Sequence, residues 1–147
     1  TLQQSSAASD VYKRQEISST INEAKEYNEL KEWALCLDNK LQETQKILFH
    51  LIPFATKGDY ERFLADASVF MEFFSLVLVG WSWLEIGVAS KRSVITGDES
   101  HETDFFESKL DTLEYFYAYE LPKTSGLSEV ILHPSSITIK TDKKTIS

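Results

Sequence analysis

Apolar positions along the chain fall into three phases separated by few breakers. Leu30, Ala34, Leu37, Leu41, Thr44, Leu48 and Leu51 recur at alternating spacings of four and three, while Glu26, Glu29, Glu32, Lys40 and Glu43 occupy other faces. Side chains at that spacing share one side of an α-helix, so the pattern predicts a long helix over residues 16–53 with one buried side. Trp33 and Ile47 widen the stripe. Pro53 is expected to end it, because a prolyl nitrogen has no proton to donate and disfavours helical geometry in the residue before it.

The next segment, Asp59 to Ser90, is apolar on nearly every side of a helical wheel, with Phe63, Phe70, Phe73, Phe74, Val77, Trp81, Trp83 and Leu84 among its residues. Such a helix is either central to a bundle or spans a membrane. Its uncharged run lies between Glu72 and Glu85, shorter than the roughly 18 to 20 residues that cross a bilayer. Asp66, Glu72 or Glu85 would each cost several kcal/mol in hydrocarbon. The pattern therefore predicts the core helix of a soluble bundle and no membrane span. Ser68, Ser75, Ser82 and Ala89 recur every seven residues, a strip of small side chains along which a neighbouring helix is expected to approach. Serines within a helix satisfy their hydroxyls on the carbonyl four residues back.

A third helix opens at Asp104 and Glu107, acids suited to the positive end of the helix dipole. Its stripe is Phe106, Leu110, Leu113, Tyr117 and Leu121, flanked by Phe105 and Phe116, and Pro122 is expected to end it. Residues 96–103 read as a polar loop. After Gly126, Leu127 to Leu132 allow at most two helical turns, and Ile137 and Ile139 alternate with polar residues in an extended tail. Thr1 to Gln15 has no periodicity, and its Asp10-Val11-Tyr12-Lys13-Arg14-Gln15 resembles a translated adapter remnant of the kind found at the ends of environmental sequence fragments. The expected fold class is all-α: a helical bundle of three main helices plus a short fourth, with disordered or extended termini. Residues 1–15 are read as unstructured and foreign, 16–53 as the long helix, 59–133 as a helical unit and 134–147 as the tail.

Composition narrows the function. The 147 residues include 15 Lys+Arg against 23 Asp+Glu, a formal charge of −8, and 12% aromatic residues. So much ring surface excludes a disordered acidic tail. No basic run exceeds a pair, which excludes a counterion-releasing surface for nucleic acid. A single cysteine, Cys36, and no charged-then-apolar leader point to a reducing, cytoplasmic setting. Met71 is the one methionine and no initiator is present, so the sequence is read as a fragment.

Candidate chemistry is sparse. His50, His101 and His133 have no His, Cys or Glu at metal-ligand spacing, so no metal site is assigned. There is no Gly-rich dinucleotide loop, no Walker sequence and no nucleophile elbow. Cys36 lies beside the first stripe without a nearby histidine and reads as a packing residue. Glu72 and Glu85 flank the most apolar stretch. A buried acid there would have a raised pKa, but the ends of a buried run normally reach solvent. Trp81 and Trp83 lie about 200° apart on the wheel and read as separate core anchors.

The order of certain residues carries a resemblance. Gly80-Trp81 within an apolar helix, then Lys109-Leu110-Asp111-Thr112, Tyr115-Phe116 and a closing Leu121-Pro122 resemble the C-terminal helical extension of flavin-dependent acyl-CoA dehydrogenases, the acetyl-CoA dehydrogenase-like C-terminal domain. Within that family the 3-methylmercaptopropionyl-CoA dehydrogenase-like enzymes are the most similar in pattern. The likeness covers Asp66 to Ile131, with Leu113 where the family usually has Ala and Glu114 where Arg is common. The helix before it resembles the last helix of the dehydrogenase core.

The resemblance implies a parent that oxidises an acyl-CoA to a 2-enoyl-CoA with FAD, a glutamate base taking the α-proton as hydride passes to the flavin. Those elements lie upstream of the extension in such proteins. No residue of this chain is therefore assigned as catalytic, cofactor-binding or metal-ligating, and no FAD is expected on this piece alone. The implied partners are the missing dehydrogenase core and further copies in a homo-oligomeric parent. The alternative is a stand-alone helical protein-protein interaction module without catalysis.

Overall fold

The computed structural model describes residues 2–95 and 103–133, with side chains from 13–95 and 107–133. They form five α-helices and one π-helical segment: α1 (Leu2–Ala24), α2 (Lys31–Thr56), α3 (Tyr60–Ile95), α4 (Thr103–Tyr115), the π segment (Phe116–Glu120) and α5 (Lys123–Leu132). The described residues contain no strand, and the fold is an all-α bundle. The loop at 96–102 and the tail at 134–147 lie outside the described residues.

Residues 1–15, expected to be unstructured, belong to α1 from Leu2 onward. The long helix expected over 16–53 is two helices, because its apolar stripe changes phase. Ile17, Ile21 and Ala24 are buried on one line, and Leu30, Ala34 and Leu37 on another. At 100° per residue these lines lie on nearly opposite sides of a continuous helix. The chain resolves the conflict by turning back between them, through hydrogen bonds from Tyr27 N to Ala24 O (3.1 Å) and Leu30 N to Tyr27 O (3.0 Å). Both lines then face the same core. Lys25 bridges to Asp38 across the turn at 3.5 Å.

Pro53 does not end α2, which runs on to Thr56. The carbonyl that a proline at 53 leaves without its helical donor is that of Phe49, and both residues are exposed, so the loss falls on a solvent-facing side of the helix where it costs least. The stop comes at Gly58, whose φ of 81° is the left-handed geometry that ends helices. Leu48, placed in the stripe by spacing, is partly exposed, and Ile47 takes the buried position beside Thr44 and Leu51.

α3 corrects a second expectation. It is buried along one strip, Phe73, Val77, Gly80, Leu84 and Gly87, rather than all round. Its small residues were expected to receive a neighbour, yet Ser68, Ser75, Ser82 and Ala89 are all exposed. Close approach occurs instead at the two glycines. A Cβ on Gly80 would lie 3.4 Å from Leu37 Cδ1, and one on Gly87 would lie 3.1 Å from Leu30 Cδ2 and 3.0 Å from Leu113 Cδ1. These neighbours register α2 and α3 antiparallel. The outward serines bond back as expected, Ser75 Oγ to Met71 O at 2.6 Å and Ser82 Oγ to Leu78 O at 3.1 Å.

The third stripe is buried at Leu113, Tyr117 and Leu121, and Leu110 is half-buried. The side chains of Asp104, Phe105 and Phe106 lie outside the described set. Spacing did not predict the π segment, where the Leu121 amide reaches back five residues to Phe116 O at 2.9 Å. The wider turn lets adjacent Phe116 and Tyr117 both enter the interior. Pro122 ends that segment and precedes α5, which contains Gly126 rather than starting after it.

Candidate functional site

The most specific arrangement in the bundle is the junction of α2, α3 and the π segment. Gly80, with no side chain, lets the Tyr117 ring reach the α3 backbone, and the Tyr117 hydroxyl donates to Gly80 O at 2.8 Å inside the core. Phe116 stands edge-on to Tyr117 at 5.8 Å between ring centroids, and Trp33 of α2 lies 6.3 Å from it on the other side. Burial holds the Tyr117 phenol protonated far above its ordinary range, with a smaller contribution from nearby Cys36. Cys36 is half-buried, and burial also pushes its thiol up, against a smaller opposing pull from Lys40. Thiolate is the reactive form, so this environment suits packing rather than nucleophilic chemistry.

Of the residues carrying the sequence pattern, Gly80 and Phe116 meet here, whereas Asp111, Thr112, Tyr115 and Pro122 are exposed. Trp81, next to Gly80, donates from Nε1 to Thr20 Oγ1 of α1 at 3.0 Å. Trp83 faces α4, where the Lys109 ammonium lies 6.0 Å from its ring centroid. The two tryptophans thus anchor different neighbours, and Leu121 is fully buried. Gly80 and Tyr117 were visible as motif and stripe residues, but their bond was not. Gly87 was missed, although a glycine seven residues after Gly80 on an apolar helix was the available signal.

Opposite the buried strip, α3 presents an uncharged outer face. Leu64, Met71, Val79 and Ile86 are 66%, 59%, 43% and 38% exposed, with the exposed small residues Ser68, Ser75, Ser82 and Ala89 among them. Glu72 and Glu85 are exposed at its margins. By length and composition α3 is apolar enough to cross a membrane. Its most apolar 18-residue window has a mean hydropathy of 1.8, with 17% of it buried. The uncharged run between Glu72 and Glu85 is shorter than that window. A crossing would still carry the buried strip's partner helices and the marginal glutamates with it, at high cost.

The remaining clusters are smaller. At the α2–α3 elbow, the Arg62 guanidinium lies 4.3 Å above the Phe54 ring, and His50 packs edge-on to that ring. Burial raises the Asp66 pKa there, opposed by Arg62 and His50. Among the described residues no group of three or more His, Cys, Asp or Glu could hold a metal ion. His101 lies outside them, and His133 is exposed at the end of α5. A largely apolar cleft of about 200 Å³ opens between α1, α2 and α3. That is below the roughly 300–1,000 Å³ of ordinary ligand pockets.

Taken from its residues upward, this is an all-α bundle with an interlocked interior and an exposed apolar face on α3. A family model described as acetyl-CoA dehydrogenase C-terminal like matches residues 14–142, and the chain belongs to that family. The match begins before Glu16, so residues 16–53, read from the sequence as resembling the last helix of a dehydrogenase core, lie within the matched stretch. No curated protein and no solved structure matches the chain.

Proposed function

We propose that the chain is the C-terminal helical domain of an FAD-dependent acyl-CoA dehydrogenase, and that it serves the enzyme by packing on its catalytic core. The observation that carries this reading is the outer face of α3, uncharged and uncovered across Leu64, Met71, Val79 and Ile86. Contiguous apolar surface of this kind marks an interaction site. The occupant that family membership supplies is the rest of the dehydrogenase, in the same subunit or its neighbour. Oxidation of the acyl-CoA to a 2-enoyl-CoA belongs to the parent. This chain contributes a rigid wall, locked by Tyr117 on Gly80, whose burial positions elements it does not itself contain.

The deciding experiment is recovery of the parent gene. A dehydrogenase core in the same reading frame upstream is the expected result, and a genuine start codon with its promoter directly before Glu16 would overturn the reading in favour of a stand-alone interaction module. Purified chain should also show no flavin absorbance. Stoichiometric yellow protein would contradict a purely packing role.

A further inference from the structure

The outer face of α3 is ordered by side-chain size. Leu64, Met71, Val79 and Ile86 are large and apolar, and after each comes a small residue, Ser68, Ser75, Ser82 and Ala89 in turn, all of them exposed. At 100° per residue these positions fall within an arc of about 80°, at the three-and-four spacing of a helix–helix seam. The seam carries no charge and runs for about 38 Å at 1.5 Å per residue. Its serines can be covered without stranding a hydroxyl, because Ser75 Oγ and Ser82 Oγ already donate to Met71 O and Leu78 O of their own helix.

A strict alternation of large and small is complementary to itself reversed. Laid antiparallel over its full length on a second α3, Leu64 faces the partner's Ala89, Met71 the partner's Ser82, Val79 the partner's Ser75 and Ile86 the partner's Ser68. Every layer then holds one large and one small side chain. A parallel copy sets large on large and serine on serine, so the large layers hold the helices apart and the serine layers stay unfilled. The flanks also suit the reversed register. The two Glu72 carboxylates stand about 14 Å apart along the axis, beyond the roughly 8 Å over which charges are screened. Exposed Tyr60 comes level, on the same flank, with the partner's Arg92, a cation held by Glu23 of its own chain and suited to an aromatic ring.

We propose that this face is a two-fold seam that takes the α3 of a second copy of the chain, antiparallel, with large side chains seated over small ones. A two-fold contact is isologous, and the pairing above reads the same from either copy. The proposal rests on the reading of the outer face of α3 as a docking surface and names its occupant as the same helix in the neighbouring subunit. A single helix pair is a narrow interface, so the chain is expected to dimerise in the micromolar range.

The test is made in the full chain, with Cys36→Ala throughout so that each added cysteine is alone. Met71→Cys and Ser82→Cys chains oxidised separately should not cross-link, because in the antiparallel register each position lies about 16 Å along the axis from its own copy. Mixed, they should give a disulfide-linked heterodimer on a non-reducing gel. Ready self-linking of either chain alone would mean a parallel pair and overturn the proposal. Size complementarity is read by sedimentation equilibrium. Ser82→Leu adds apolar surface, yet it should weaken dimerisation about tenfold or more by setting large on large, and Met71→Ser in the same chain should restore it. Tighter association of Ser82→Leu would refute the seam in favour of unspecific apolar contact. Flotation of the unaltered chain with phosphatidylcholine vesicles would refute it too, by giving the face to a membrane. The proposal and the reading beneath it fail differently. If Val79→Lys lowers self-association but the mixed cysteine chains do not link, the face docks something other than a reversed α3; a chain that is monomeric at every concentration removes both.

Discussion

The Tyr117 hydroxyl donates to the carbonyl oxygen of Gly80 at 2.8 Å, tying the π segment to the middle of α3 inside the core. A helix-interior carbonyl already accepts from the amide four residues on, so removing the phenol leaves no orphaned acceptor. Tyr117→Phe should therefore cost only about 1 kcal/mol, read as a lower urea midpoint at unchanged m-value. A loss above about 3 kcal/mol would mean that the hydroxyl does more than this bond.

The two glycines of α3 should respond differently to the same change. Alanine gains roughly 1 kcal/mol over glycine in a helix interior. At Gly80 the added Cβ meets Leu37 and Phe116 at 3.4 Å, close to ordinary contact, whereas at Gly87 it presses on Leu113 at 3.0 Å and Leu30 at 3.1 Å. Both of those leucines are fully buried and have little room to move. Gly80→Ala is expected to be near neutral and Gly87→Ala to be destabilising by about 1–2 kcal/mol. Thermal melts of the pair check this, and the reverse order would contradict the packing described.

Alkaline pH should loosen the bundle. Burial raises Cys36 above its ordinary 9.0 and Tyr117 above its ordinary 10.0. The unfolded chain releases these protons at the ordinary values, while the folded chain holds them longer. Their contribution is thus complete below about pH 9 and declines as pH rises further. Urea midpoints should be level up to that point and fall beyond it, less steeply in Tyr117→Phe. Cys36 should react slowly with a disulfide reagent near neutral pH and faster once the chain is unfolded. Rapid labelling of the native thiol at pH 7 would refute this.

Substitutions on the two sides of α3 should separate stability from association. Val79→Lys on the outer face should change stability by less than about 0.5 kcal/mol while reducing concentration-dependent self-association in light scattering. Phe73→Ala, from the buried strip, should cost about 3–5 kcal/mol. A unaltered chain that stays monomeric at high concentration would count against the outer face as a docking surface.

Much of this architecture was legible in the pattern of residues, and the failures share a cause. Spacing located α2 because one phase of leucines persists from Leu30 to Leu51. It joined α1 to α2 because the phase of Ile17, Ile21 and Ala24 was not weighed against that of Leu30, Ala34 and Leu37. For α3, a nearly uniform apolar wheel has no preferred side, so the buried strip depended on where glycines allow contact, and Gly80 and Gly87 hold no apolar surface to mark it. The π segment left no trace in the spacing, since Leu113, Tyr117 and Leu121 also fit an ordinary helix. The junction chemistry was hidden for the same reason: Tyr117 looked like one more apolar position, and a bond to a backbone carbonyl has no partner in the side-chain pattern.

The π segment makes chain length itself a structural parameter. Such a turn is a helix carrying one residue beyond the regular count. Deleting exposed Ala118 would return the segment to ordinary pitch, with the Leu121 amide and Phe116 O, bonded at 2.9 Å, then standing four residues apart as in a regular helix. Leu121 and Thr124, both fully buried, would keep their places, and α5 would keep its seat. Relatives one residue shorter between Leu113 and Leu121 should therefore carry the same α5 surface, so an alignment gap at this point marks the loss of the wide turn and not a change in the packing of α5.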